Sequence, residues 1–414
     1  MAKKTDSMED DILQYDSLNK KLEFIRSGIE LLDAFIAGEM SINFSKIGFP
    51  IGKIISLTGK NAIGKSTLML DTSKRFCLQG YKVLYIDSER GLNTKSIKSY
   101  GLMDFAAYNP EIEEITDVKK IKELKMECLR QFLEGEKLFY SISPETYIDA
   151  IKVIKYIYSV NKKGQIALMV IDSIKDLVSK KVLDDDEDTE NQQMMIDAKS
   201  QEYFLKKLKH FLAFEDTVCM LLNQVRVKKK GSFFVEGEAG SNAFLHRCDG
   251  RIIVKEKKKI VQIVTNNLGE PTEKAIGNWI ELQYIKSRFG NSDTKICIPM
   301  IFGKGVSLIY LYKEILQSNN IIKKSTSWYT FSMPQCNIEE KYQGEAGSYS
   351  IIKNNFDNIK KYILDNGLLY IEKKDEEEDN VVEKDLEDEI EESATEDDIL
   401  NMTSNNEEKN NKEE

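Results

Sequence analysis

The chain of 414 residues has only two histidines, His210 and His246, so a histidine-based metal site is excluded as its organising chemistry. Its six cysteines (Cys77, Cys128, Cys219, Cys248, Cys297 and Cys336) include no C-x-x-C pair, which argues against a zinc module. Scattered thiols suit a reducing compartment. No apolar run approaches the ~18 residues a membrane helix needs, and Met1-Ala2-Lys3-Lys4-Thr5 opens without the apolar stretch of an export signal. The expectation is a cytoplasmic protein (host cytoplasm, if the chain is viral) with no membrane partner.

Charge is unevenly spread. The net charge is −10, yet the stretch from Asp375 onward holds 19 acidic and 3 basic residues, leaving 56 Lys/Arg against 50 Asp/Glu in the rest. A mildly basic body with an acidic tail fits a polyanion binder whose tail competes for the same surface; composition alone favours a solubilising disordered tail.

What is present is centred on Lys53 to Ser66. The β-branched run Ile54-Ile55-Ser56-Leu57-Thr58 predicts a buried parallel strand. It leads into Gly59-Lys60-Asn61-Ala62-Ile63-Gly64-Lys65-Ser66, followed by Thr67 and a helical spacing of apolar residues to about Leu78. Glycines let backbone N–H groups curl around a phosphate, and the helix start adds its positive end. Lys65 supplies a charge to the β/γ-phosphates, and the Ser66 hydroxyl is placed to ligate Mg²⁺. This pattern predicts a nucleotide site with Mg²⁺.

Further strands are expected at Lys82–Ile86, ending in Asp87-Ser88-Glu89-Arg90, at Gln165–Ile171, closed by Asp172-Ser173, and at Thr217–Leu222, closed by Asn223-Gln224. Later strands are expected at about 251–255, 259–265 and 279–285, with helices at about 148–160 and 193–213. A turn and an amphipathic helix are read between Leu22 and Ile36. The charged 95–135 stretch reads as helical and as an insertion or lid apart from the sheet. Alternation of strand and helix predicts an α/β doubly wound core, followed by a small α+β domain.

An apolar strand ending in Asp172 offers the carboxylate that a P-loop enzyme uses to hold Mg²⁺. Glu89 stands where a carboxylate could orient the attacking water, although a solvent-facing glutamate fits its position equally. Gln224 could sense the γ-phosphate. The loop Val225–Gly240 mixes Arg226, Lys228, Lys229 and Lys230 with Phe233 and Phe234, cations for a phosphate backbone and rings for unpaired bases; a flexible surface loop is the competing reading. Lys286 and Arg288, two residues apart at a strand end, could clamp an anion.

Together these landmarks resemble the RecA family of DNA strand-exchange recombinases, most closely its bacteriophage UvsX-like branch, over about residues 20–372. The resemblance rests on Ser27-Gly28-Ile29 through Asp33, the phosphate loop, Ile86-Asp87-Ser88-Glu89, Val170-Ile171-Asp172-Ser173, Leu222-Asn223-Gln224-Val225-Arg226, Gly240-Ser241-Asn242-Ala243, Ile285-Lys286-Ser287-Arg288 and Trp328-Tyr329. It implies a RecA-like P-loop NTPase core with a mostly parallel sheet, divided as an N-terminal oligomerisation segment (1–45), ATPase core with DNA loops (46–298), small C-terminal domain (299–372) and disordered acidic tail (373–414). It also implies a DNA-dependent ATPase acting in recombination and repair, with Glu89 catalytic, Gln224 the nucleotide sensor, and Lys286 and Arg288 reaching a neighbour's ATP. Lys199 matches a basic position closing the first DNA loop. The partners implied are single-stranded DNA, homologous duplex, further copies in a helical filament, and single-strand-binding and mediator proteins. The chain departs from the family pattern at Ser96, where a tyrosine usually faces adenine, in the longer 95–140 region, in the acidic loop about Asp184–Asp188, at Ser241 and at His246. A recombinase-like regulator without strand exchange is the alternative.

Overall fold

Six consecutive buried residues, Ile54–Gly59, form the central strand of the molecule in the computed structural model. The structure describes residues 22–38, 47–184, 190–230, 233–238, 242–265, 271–290, 292, 294–369 and 372–373. The acidic 185–189 segment, Gly240, Ser241, and the tail from Lys374 lie outside the described residues, as does the N-terminal stretch to Lys21.

In chain order the elements are β1 (Phe24–Ile25), α1 (Glu30–Ala37), β2 (Phe49–Pro50), β3 (Ile54–Gly59), α2 (Lys65–Leu78), β4 (Lys82–Asp87), α3 (Thr94–Ser99) and α4 (Val118–Glu134). Then come β5 (Phe139–Ile142), α5 (Tyr147–Val160), β6 (Ile166–Asp172), α6 (Lys180–Asp184), α7 (Glu190–Leu212), β7 (Val218–Lys230), β8 (Phe233–Glu238), α8 (Asn242–Arg247), β9 (Gly250–Thr265) and β10 (Pro271–Ser287). The chain continues through β11 (Thr294–Ile301), β12 (Gly305–Val306), α9 (Leu308–Ser318), β13 (Ile322–Ser325), β14 (Trp328–Met333), β15 (Ile338–Gln343), α10 (Glu345–Asn354) and α11 (Phe356–Asp365). Among the described residues, those from 22 to 369 belong to one compact unit and 372–373 to a second. No helix among the described residues is long and apolar enough to cross a membrane.

The main sheet runs β12-β11-β10-β9-β3-β7-β6-β4-β5. β9, β3, β7, β6, β4 and β5 are parallel neighbours, while β10, β11 and β12 are added antiparallel. Alternate residues feed two cores. Ile55, Leu57, Val83, Tyr85, Val170 and Leu222 face one, shared with α1 and α2. Ile54, Leu84, Ile86, Met169, Ile171 and Leu221 face the other, shared with α5 and α7. Both faces are covered, as a parallel sheet of near-continuous apolar strands requires. The expected α/β architecture with its mostly parallel sheet is therefore present, and β13-β14-β15 with α9 to α11 supplies the small α+β region.

The 95–135 stretch is helical as expected, in α3 and α4, and α4 packs Phe132 onto Tyr140 with ring centroids 5.4 Å apart; β5, which joins the sheet edge beside β4, begins beyond it at Phe139. Three sequence expectations are corrected. The helix from Glu30 is not two-faced, because Leu31 through Ala37, Asp33 included, are all buried. Strands expected at 251–255 and 259–265 are one strand, β9. Its lysine run does not break it, since Lys257 pairs with Glu281 on β10 at 2.7 Å and Lys258 sits over the Trp279 ring at 5.0 Å. Finally, the described part of Val225–Gly240 is no irregular loop: β7 runs on to Lys230 and pairs antiparallel with β8, Val225 with Glu238 and Lys230 with Phe233.

Candidate nucleotide site and its neighbours

The phosphate loop is held in a conformation its sequence is made for. A Cβ on Gly59 would stand 2.8 Å from the Val254 carbonyl oxygen, and Gly64 caps α2 with φ 106°. Ile54–Gly59 is the central strand of the sheet and leads into the loop, which with the start of α2 lines a cavity of about 330 Å³. Residues Asn61 to Thr67 line one side of it; Glu89, Asp172 and Gln224 line another. Lys60 is exposed at its edge.

Lys65 is buried, and its ammonium donates to the carbonyl oxygens of Gly59 at 2.9 Å and Lys60 at 2.7 Å. Burial lowers its pKa, while the negative charges of Asp172 and Glu89 resist that shift. The cation is thus folded back on its own loop, available to exchange two carbonyls for phosphate oxygens.

Asp172, at the end of β6, is buried, and burial raises its carboxyl to about 6 against hydrogen bonds from Tyr85 and Ser66. Tyr85 Oη donates to Asp172 Oδ2 at 2.6 Å. The oxygens of Ser66 and Asp172 line the same cavity and offer the hard donors that Mg²⁺ prefers, so the residues fit that ion.

The end of β4 is fastened to the end of β6. Ser88 N and Glu89 N donate to the Asp172 carbonyl at 2.8 and 3.2 Å, and Ser88 Oγ donates to the Ser173 carbonyl at 2.6 Å. This fixes the backbone from which the exposed Glu89 side chain projects. Gln224 pairs in register with Gly59 across β7 and β3, and its Nε2 donates to Glu89 Oε1 at 3.3 Å. Gln224 is also the last β7 residue in the sheet before the β7–β8 hairpin begins at Val225.

The remaining sequence candidates lie elsewhere. Lys286 donates to the carbonyls of Leu245 and His246 at 3.0 and 3.1 Å, and Arg288 to that of His246 at 3.2 Å. Both cations therefore cap the carboxyl end of α8 and are not among the residues lining their own chain's cavity. Burial, then the nearby charges of Arg288, Arg251 and Lys209, lower the Lys286 pKa. Lys199 is exposed on α7. The backbone of Arg226, Lys228, Lys229, Lys230, Phe233 and Phe234 forms the hairpin; their side chains lie outside the described set.

Several cavity residues escaped sequence reasoning. Met300, Ile301 and Phe302 at the end of β11 face the loop, with Phe302 55% exposed, an aromatic surface beside a phosphate site. Asn278 lines the same wall, and its Oδ1 is buried with no hydrogen-bond partner among the described residues. Tyr85 looked like one more core residue of an apolar strand. Ser96 serves the backbone instead of a base, forming with Asn93 the capping box of α3. The tyrosine near the loop is Tyr100, whose hydroxyl lies 2.9 Å from Thr67 Oγ1.

Comparison with known proteins agrees with this geometry. A family model for the RecA N-terminal domain matches residues 132–307. Protein RecA of Borrelia hermsii (strain HS1 / DAH) is 25% identical over 315 residues, 76% of this chain and 74% of that protein. Protein RecA of Borreliella burgdorferi (strain ZS7) is 25% identical over 339 residues, covering 81% and 79% of the two chains. Protein RecA of Mycoplasma mycoides is 26% identical over 320 residues, 77% and 76% respectively. Over these stretches the chain is similar to proteins of the RecA family, and its mostly parallel core is consistent with that likeness.

Proposed function

We propose that this chain is an ATP-dependent DNA strand-exchange recombinase of the UvsX-like branch, assembling as a helical filament on single-stranded DNA and pairing it with homologous duplex in recombination and repair. One observation carries the reading. Lys65, Ser66, Asp172, Glu89 and Gln224 meet at a single cavity, and Gln224 is the root of a hairpin whose sequence combines cations with phenylalanines.

The phosphates of ATP bind the loop N–H groups of Gly59 to Thr67, and Lys65 leaves its carbonyl partners for the β/γ oxygens. Ser66 and Asp172 would hold Mg²⁺, which would supply charge neutralisation at the phosphates. Glu89 orients the attacking water and accepts its proton. Gln224 answers the γ-phosphate with its amide and transmits that state into the hairpin, where Arg226, Lys228, Lys229 and Lys230 track a DNA backbone and Phe233 and Phe234 meet its bases. Lys286 and Arg288 serve the ATP of a neighbouring protomer. The division into residues 1–45, 46–298, 299–372 and 373–414, the mediator and single-strand-binding partners, and a cytoplasmic site of action belong to the same proposal.

The test is strand exchange between homologous oligonucleotides with ATP. Product formation supports the recombinase reading; nucleotide and DNA binding without any exchange would overturn it in favour of a regulator.

A further inference from the structure

Gln224 has a second partner, which the mechanism above does not use. Lys175, in the short turn Ile174–Asp176 that follows Asp172-Ser173, donates from Nζ to Gln224 Oε1 at 2.7 Å. The turn is pinned: Ser173 Oγ hydrogen-bonds Asp176 Oδ2, and Asp176 N donates to the Ser173 carbonyl at 3.1 Å. Ile174, buried in the core, anchors it from below. Among the described residues, the Gln224 carbonyl is the hydrogen-bond partner of the Lys175 ammonium.

The chemistry of the three groups fixes the glutamine. An amide has a donor end and an acceptor end that can be exchanged by a half-turn. A lysine ammonium only donates, so it selects the carbonyl end; an ionised Glu89 only accepts, so it selects the NH₂ end. Lys175 and Glu89 therefore hold Gln224 from opposite sides in one orientation, with its donor end toward the cavity. The two bonds are unequal. The one to Lys175 is charge-assisted and short, while that to Glu89 is long at 3.3 Å.

We infer that Lys175 is a positioning residue for the γ-phosphate sensor, keeping the Gln224 amide donor-end-first so that nucleotide state reaches the β7–β8 hairpin; this rests on the function proposed above. An arriving γ-phosphate offers oxygen acceptors to the Gln224 NH₂ group. Exchanging Glu89 for phosphate breaks only the long bond, and the freed Glu89 oxygen becomes available to water. Lys175 holds the carbonyl end throughout. Without it the amide can turn over, present its carbonyl to phosphate and repel it. Because β7 leaves the sheet immediately after Gln224, the orientation of this one amide acts on the first paired residue of the hairpin, Val225.

The test uses the full-length protein and the single substitutions Lys175→Met, which keeps length and removes the donor, and Lys175→Arg, which keeps a donor. Affinity for a labelled single-stranded oligonucleotide is measured with a non-hydrolysable ATP analogue and with ADP, and the ratio is the readout. Lys175 is exposed, so unfolding is not expected; thermal melts of each variant check this. The inference predicts that Lys175→Met lowers the ratio about tenfold, mostly in the ATP-analogue state, and that Lys175→Arg recovers most of it. A wild-type ratio retained in Lys175→Met overturns the inference alone. A wild-type ratio near one would overturn the nucleotide-coupled reading on which it rests, and the inference with it.

Discussion

Tyr85 and Asp172 are joined by a 2.6 Å hydrogen bond between two neighbouring strands, with the tyrosine fully buried and Asp172 lining the candidate nucleotide cavity. Replacing Tyr85 with Phe keeps the packing and removes the donor, so Asp172 loses the group that holds its rotamer. The Mg²⁺ concentration giving half-maximal ATP hydrolysis should rise about tenfold, the usual scale for losing a partner of a metal ligand. An unchanged magnesium titration would show that the hydroxyl serves only folding.

Lys65→Ala removes the cation that reaches the loop interior, and ATP hydrolysis should fall at least about a hundredfold. Steady-state turnover measures this directly. A variant with full turnover contradicts the site.

Phe302 and Met300 form the apolar wall opposite the phosphate loop. If the base of ATP rests there, Phe302→Ala should raise KM for ATP about tenfold with little change in kcat, the signature of lost uniform binding. A fall in kcat at constant KM would instead place Phe302 in the hydrolytic step.

Lys286 and Arg288 are bound to the end of α8 and do not line their own chain's cavity. If they act on a neighbour, the double variant Lys286→Ala/Arg288→Ala and the variant Lys65→Ala should each be inactive alone. Mixed in equal amounts they should recover up to roughly a quarter of wild-type hydrolysis, because one junction type in four joins an intact loop to an intact pair. No recovery on mixing contradicts action between protomers.

Asp33 accepts hydrogen bonds from Ser27 N at 2.8 Å, Ser27 Oγ at 2.7 Å and Gly28 N at 3.1 Å, yet burial raises its carboxyl from 3.8 to about 6. The folded protein thus holds this proton more tightly than the unfolded chain. That contribution to stability is complete below about pH 4 and is lost as pH rises through about 6. Denaturant melts of the wild type between pH 5 and 7 should show a decline of about 1 kcal/mol from this group, absent in Asp33→Asn. Equal pH slopes in the two proteins contradict the assignment.

Much of this was legible in the chain because it is local. The strand Ile54–Gly59, the helix from Lys65 to Leu78 and the strand ends at Asp87 and Asp172 follow from apolar runs, glycine placement and capping chemistry, which act over a few residues. What was missed depends on partners far along the chain. β9 persists through its lysines because Glu281 and Trp279 lie across from them. β5 is a strand because the edge of β4 is open to it. Lys175 and Gln224 are 49 residues apart and meet only because β6 and β7 are adjacent. Phe302 comes to the phosphate loop through two antiparallel additions to the sheet, which no periodicity announces.

The central claim joins the nucleotide cavity to DNA through Gln224, and ATP hydrolysis with and without single-stranded DNA, at low and moderate salt, tests it most directly. The account predicts strong stimulation by single strands that weakens as salt rises. Hydrolysis that proceeds at the same rate with and without single-stranded DNA would contradict it.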